Sequence, residues 1–231
     1  MKTIDYKDIH KGKRCFIIGN GPSLNDTDLN LIKDEYSFAM NRVGLIYEKT
    51  EWRPTYFVCP TGNSQRDNWK VDILKSVKLG IPCWFWNQDY NKKLYSENKN
   101  IIYVDCKHHH ESAEALLENT PVEWFSTECD KWVSKYGTSL TVATQLAYYM
   151  GFSEIYLLGC DLGFNSKSHH FSEKYDVGGS IPMASLDPVM SSGHILMKKA
   201  SDKLGFKIYN ASKGGVLEIH ERVDYEDIIK K

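Results

Sequence analysis

The sequence is short of several features that would place it in a class at once. No apolar run is long enough to span a bilayer, and the N-terminus lacks the apolar core of a signal peptide. Neither sign of charge is in excess: 29 Lys and Arg stand against 30 Asp and Glu, for a net charge of -1. That balance leaves no electrostatic footprint for nucleic acid or for an anionic membrane. The six cysteines are scattered, without a Cys-x-x-Cys pair, and several sit inside apolar runs, where a free thiol behaves as a small hydrophobe. A reduced, cytoplasmic protein is the simplest expectation; peripheral membrane association and oligomeric state are left open. Internal repeats, low-complexity linkers and a Walker-type Lys-Ser/Thr loop are all missing.

What is present suffices for a core. The 231 residues, 42% hydrophobic and 13% aromatic, predict a single domain over 1–231. Its organising stretch is Arg14 to Leu24. Four apolar residues, Cys15 to Ile18, run into Gly19-Asn20-Gly21 and then Pro22-Ser23-Leu24. A short continuous apolar run reads as a strand buried on both faces. The two glycines allow close approach of backbone to a ligand, and Pro22 suits the first turn of a helix. Leu24 stands where the third glycine of a dinucleotide fingerprint would be, so the motif is incomplete. The Asp26/Asp28 pair that follows spells a metal-ligand Asp-x-Asp, but Asp and Thr ahead of Leu29, Leu31 and Ile32 read better as helix caps.

Further apolar runs predict strands at Ser37–Met40, Tyr56–Cys59, 81–86, Ile101–Val104 and Glu154–Leu158. The early ones close on small polar residues, placing Asn20, Asn41 and the Thr61/Asn63 pair along the carboxyl edge of a parallel sheet, where ligands bind. Asn and Thr offer both donors and acceptors, which suits a base and a ribose; turn chemistry is the rival explanation for each. The interval 88–100 reads as polar and exposed. His108-His109-His110 reads as a surface loop, because consecutive residues do not share a face. Thr138 and Ser139 open a helical run through Met150, where they cap the helix or hold a phosphate. Asp161 follows a strand on the ligand edge. Residues 105–135 and 162–194 read as lid-like segments without regular pattern. His169, His170 and His194 lie in or beside the second, and one of them reads as a catalytic base. A helix over 195–204, a strand over 206–209 and a last helix over 225–229 close the chain.

Three segments together carry a resemblance: Phe-Ile-Ile-Gly-Asn-Gly-Pro-Ser-Leu (16–24), Tyr-Gly-Thr-Ser…Gly-Phe-Ser-Glu-Ile-Tyr-Leu-Leu-Gly-Cys-Asp (136–161) and Tyr-Asn-Ala-Ser-Lys-Gly-Gly-Val-Leu-Glu (209–218). They resemble the MptE-like family, which includes the central domain of motility-associated factors and is similar to the single-Rossmann bacterial sialyltransferases. The resemblance implies an α/β fold: a Rossmann-like domain with a mostly parallel sheet flanked by helices, in a GT-A-variant arrangement. It also implies transfer of a nonulosonic acid from a CMP-activated donor to a glycan acceptor, inverting and with no metal in the chemistry. In those enzymes the nucleotide lies on residues matching Gly19, Asn20, Gly21, Pro22, Ser23 and Asn41, with Thr138, Ser139 and Asp161 matching further site positions. Their catalytic His follows a Gly, as His194 follows Gly193; whether His194 or His170 is the base stays open. Two tyrosines that hold the leaving phosphate there are replaced here near Gly163 and His169. The family's other branch implies an ATP- and Mg²⁺-dependent diphosphokinase acting on a hydroxymethyl pterin, with Asp161 and Asp26/Asp28 as metal ligands. A nucleotide-binding scaffold without chemistry is the third expectation.

Overall fold

The computed structural model describes residues 1–109, 119–163, 169–175 and 186–230. Its strands are β1 (Arg14–Ile18), β2 (Ser37–Met40), β3 (Tyr56–Cys59), β4 (Cys83–Trp86), β5 (Ile101–Val104), β6 (Cys106–Lys107), β7 (Val133–Ser134), β8 (Glu154–Leu158), β9 (Lys207–Asn210) and β10 (Glu221–Arg222). Eight form one sheet in the order β10-β9-β8-β1-β2-β3-β4-β5, and β6 pairs β7 separately. All of these pairings are parallel. The described α-helices are α1 (Asp67–Val77), α2 (Asp89–Tyr95), α3 (Ser139–Tyr149), α4 (Leu186–Leu204) and α5 (Tyr225–Ile229).

The alternation along β1 shows why the runs are continuous. Cys15 and Ile17 pack with α3 and α4, through Val142, Leu146, Leu196 and Met197. Phe16 and Ile18 pack on the other face with Trp69, Ile73, Tyr225 and Ile228 of α1 and α5. Each large side chain so buried contributes about 1.5–3 kcal/mol. With helices on both faces, the strand interiors are mostly apolar, and a buried polar residue such as Ser37 needs a partner, here the Trp52 Nε1–H at 3.2 Å. The result is the Rossmann-like sheet expected. From β1 the chain steps outward to β5, then returns to place β8 on the other side of β1. The order reverses between β1 and β8, and their carboxyl ends flank the crevice where such folds bind ligands.

Several local expectations are corrected. The β1–β2 crossing carries two 3-10 turns, Pro22–Asp26 and Leu29–Ile32, in place of an α-helix. Asn25, Asp26 and Thr27 compete with helical bonding: Thr27 Oγ1 bonds back to the Ser23 carbonyl at 3.0 Å. Residues 1–13, polar and basic and read from sequence as a mere lead-in, pack on the core: Trp84 Nε1 donates to Thr3 Oγ1 (3.2 Å) and the His10 ring meets Tyr56 OH (2.5 Å). Within 88–100, α2 buries Asn91 and Tyr95, whose OH donates to the Ser64 carbonyl at 2.9 Å. Of the two expected lid-like segments, 110–118, 164–168 and 176–185 lie outside the described residues, and His110 with them. In the first, Phe125, Cys129 and Val133 are buried in the core. In the second, residues 186–194 are helical. Gly193 interrupts the helical pattern in sequence because the Gly137 backbone passes against it, leaving no room for a side chain on Gly137 and little on Gly193.

Candidate functional site

The glycine turn closes directly on β8. Gly19 N–H donates to the Leu158 carbonyl (2.7 Å) and Gly21 N–H to the Gly159 carbonyl (2.8 Å). A Cβ on Gly19 would run into the Gly159 carbonyl oxygen, so glycine is required by approach. Asp161 then ties three segments together. Its carboxylate accepts from the Ser23 N–H (2.8 Å) and from the Ser23 hydroxyl, while its carbonyl accepts from Val216 N–H (2.7 Å). Asp161 is 8% exposed. Both carboxylate oxygens are committed to the turn, and this side chain serves as a brace.

A cavity of about 490 Å³ opens at this crevice, within the size range of small-molecule sites. It brings together Asn20, Gly21, Pro22 and Ser23 of the turn with Asn41, Thr138 and Asp161, and adds His169, His170 and His194. Gly163 lines it too. Gly19 and Ser139 stand behind the wall, and the Ser139 hydroxyl accepts from Asn41 Nδ2 at 3.3 Å. Thr138 caps α3, accepting from Leu140 N–H at 3.4 Å, and reaches the cavity as well. Thr61 and Asn63 are not part of the lining. Thr61 Oγ1 accepts from Asn63 N–H (3.2 Å) and caps the 3-10 turn Gly62–Gln65, so turn chemistry accounts for both.

Two features of the lining suit a ligand. Asn20 Oδ1 and Asn41 Oδ1 are buried and have no hydrogen-bond partner among the described residues. A buried acceptor left open costs about 1–3 kcal/mol, and a ligand donor would recover it. Asn41 and Leu162, both on the lining, hold φ of 54°. Asn tolerates that region, but Leu does so only under constraint, and such outliers collect at functional sites.

The histidines differ in setting. The His170 ring stacks on Tyr175, with centroids 4.0 Å apart and planes 8° apart. Burial pushes its pKa down to about 4, with His169 and Arg42 adding to the effect. His194 lies inside α4, 3% exposed, with Nδ1 3.1 Å from Nε2 of His220. Burial, then the neighbouring His220, hold the His194 pKa well below its ordinary value. Each is therefore neutral near pH 7, the state a general base starts from.

Sequence reasoning missed four contributors. Tyr175 lines the cavity and is fixed by Arg42, whose guanidinium lies 5.6 Å from the ring centroid and donates to the Lys174 carbonyl at 2.6 Å. Arg42 is itself held by Asp72 in a buried ion pair of 2.7 Å. Lys213, paired with Glu226 at 2.5 Å, is the one Lys or Arg among the described lining residues. The strand-end rule that singled out Asn41 applies equally to Lys213, which follows β9. His220 carried no local signal, because its partner lies 26 residues away in sequence.

A family model described as 6-hydroxymethylpterin diphosphokinase MptE-like matches residues 1–167. The chain belongs to the MptE-like family. Among solved structures, this MptE-like chain is similar to the MAf glycosyltransferase from Magnetospirillum magneticum AMB-1, at 16% identity and a TM-score of 0.59. That match covers 96% of this chain but only 37% of the other protein. It is also similar to the sialyltransferase CST-II in complex with a trisaccharide acceptor and CMP, at 16% identity, TM-score 0.54, covering 91% of this chain and 86% of that one. A Tyr-to-Phe variant of CST-II in complex with CMP matches at 15% identity and TM-score 0.53, covering 90% and 85%. At these identities the likeness establishes the fold. No curated protein matches the chain.

Magnesium, which the diphosphokinase branch would need, finds few free carboxylates among the described lining residues. Among the described lining residues the carboxylates are Asp26 and Asp161, and Asp161 is already engaged by Ser23. No group of three or more His, Cys, Asp or Glu side chains arranged for a metal occurs among the described residues. No described helix is long and apolar enough to cross a membrane.

Proposed function

We propose that this MptE-like protein is a sialyltransferase-like glycosyltransferase in polysaccharide or glycan assembly. It moves a nonulosonic acid or related sugar from a CMP-activated donor to a glycan hydroxyl. The observation that carries the reading is the pair of open, buried acceptors on Asn20 and Asn41 at the switch point. The exocyclic amine of cytosine and the ribose hydroxyls are donors of the kind these acceptors lack. His194 is the favoured base. It takes the proton from the acceptor hydroxyl as that oxygen bonds the anomeric carbon; the carbon–oxygen bond to phosphate breaks, CMP departs with the electron pair, and the centre inverts. The likeness to a fold solved with CMP and a trisaccharide acceptor supports this assignment.

The family description favours a second reading, a diphosphokinase transferring pyrophosphate from ATP to a hydroxymethyl pterin. Calorimetric titration with CMP, CDP and ATP, each with and without Mg²⁺, separates the two. Under the first reading CMP binds irrespective of magnesium, and Asn20→Ala and Asn41→Ala each weaken it about tenfold, one lost hydrogen bond apiece. Magnesium-dependent ATP binding with no response to CMP would move the diphosphokinase to first place. Silence toward all three nucleotides would leave a scaffold without this chemistry.

A further inference from the structure

We propose that His194 and His220 form one proton-sharing unit, in which His220 is a positioning residue that decides which nitrogen of His194 carries the proton. His194 sits inside α4 and lines the cavity; His220 immediately precedes β10. Both are buried, 3% and 1% exposed. Nδ1 of His194 and Nε2 of His220 are 3.1 Å apart, and the ring planes lie 66° to each other.

Burial keeps both rings neutral near pH 7, so each carries one ring proton and a single hydrogen lies between them. Two arrangements satisfy that condition. In the first, His194 Nδ1–H donates to His220 Nε2, which leaves His194 Nε2 bare and puts the His220 proton on Nδ1. In the second, His220 Nε2–H donates to His194 Nδ1, and the His194 proton sits on Nε2. The tautomers are therefore locked together, both Nδ1–H or both Nε2–H. Only the first offers the cavity a lone pair.

His220 Nδ1 has no partner among the described residues, so no described group at that end favours either arrangement. The choice passes to the other end of the unit, where His194 faces the cavity. A hydroxyl donating into Nε2 selects the first arrangement, the one competent to accept its proton. Once protonated, His194 donates a charged N–H to His220 Nε2, a stronger bond than the neutral one. This role for a hydroxyl-bearing acceptor rests on the glycosyltransferase reading; the coupling of tautomers does not.

The test is long-range ¹H–¹⁵N correlation of the full chain labelled with ¹⁵N-histidine, with signals assigned by single replacements at other histidines. The expected spectrum shows His194 and His220 in the same tautomer; opposite tautomers would overturn the proposal whatever the reaction turns out to be. In turnover assays with CMP-sugars, His220→Phe should lower kcat by about 10- to 100-fold with KM for the nucleotide unchanged. His220→Gln, whose amide oxygen can still accept from Nδ1–H, should recover most of the rate. Wild-type kcat in a folded His220→Phe protein, or equal losses in both variants, would also overturn it. A wild-type protein that transfers no CMP-sugar would count against the glycosyltransferase reading, while the spectra would still decide the pairing.

Discussion

Asp161 is the residue whose role the structure changes most, from a candidate catalytic group to a brace, and substitution can separate the two. Its carboxylate takes two hydrogen bonds from Ser23, one from the N–H and one from the hydroxyl. Bonds to a charged acceptor contribute about 1.5–3 kcal/mol each, and neutral ones about 0.5–1.5. Asp161→Ala removes both and leaves a buried backbone donor open, so it should cost about 3 to 5 kcal/mol. Asp161→Asn behaves differently. Its oxygen can accept from Ser23 N–H while its amide donates to Ser23 Oγ, since a hydroxyl works in either sense. The loss is then one of charge assistance only, about 1 to 2 kcal/mol. In a chain of this size each kcal/mol is worth about 2–4 °C in Tm. Thermal melts and nucleotide titrations on both variants should therefore be graded together: Asn mildly impaired and still active, Ala unstable and unable to bind. If Asp161→Asn melts like the wild type but turns nothing over, the carboxylate takes part in the chemistry and the brace argument is wrong.

Three further outcomes are expected. Thr61→Ala should lose a cap, at about 1 kcal/mol of stability, and leave CMP affinity untouched, because Thr61 is not in the cavity wall; weakened binding would restore it to the site. Arg42→Met leaves the buried Asp72 with only the longer pair to Lys75, at 3.8 Å, and should cost about 2–4 kcal/mol in denaturant unfolding. The same change frees Tyr175 and so weakens ligand binding; a loss under about 1 kcal/mol would show the pair to be dispensable. His170 and His220 are held neutral by burial, each with its pKa pushed down to about 4. The unfolded chain takes up protons at those positions below about pH 6.5, the folded chain only near pH 4, so stability is level above about 6.5 and falls as pH drops toward 4. Melts across that window should follow this slope, and His220→Phe should flatten it; a wild-type Tm unchanged down to about pH 4.5 would contradict the burial argument.

What could be seen in the sequence followed from how many faces an element buries. β2, β3 and β5 were legible to the residue because each is a short, largely apolar run bounded by polar or turn residues, as strands covered on both faces are. α2 was not, since in a seven-residue helix only Asn91 and Tyr95 are buried and neither makes an apolar stripe. The first turn of the site was legible for a related reason: glycine and proline report backbone constraint directly, and the strand-end rule carries that constraint to the ligand edge. At Thr61 and Asn63 the same rule points to a strand two places removed from the switch point, where the polar residues cap a turn and lie outside the described cavity lining. The brace at Asp161, the Arg42–Asp72 pair and the histidine pair had no local signature, because each joins residues 26 to 138 apart in sequence. Local pattern shows where a site must lie, at the reversal of strand order. Which of its polar groups are already satisfied by the protein, and which are left open for a ligand, is decided only by through-space pairing. Here that distinction shows Asp161 already engaged by Ser23, while Asn20 Oδ1 and Asn41 Oδ1 have no partner among the described residues.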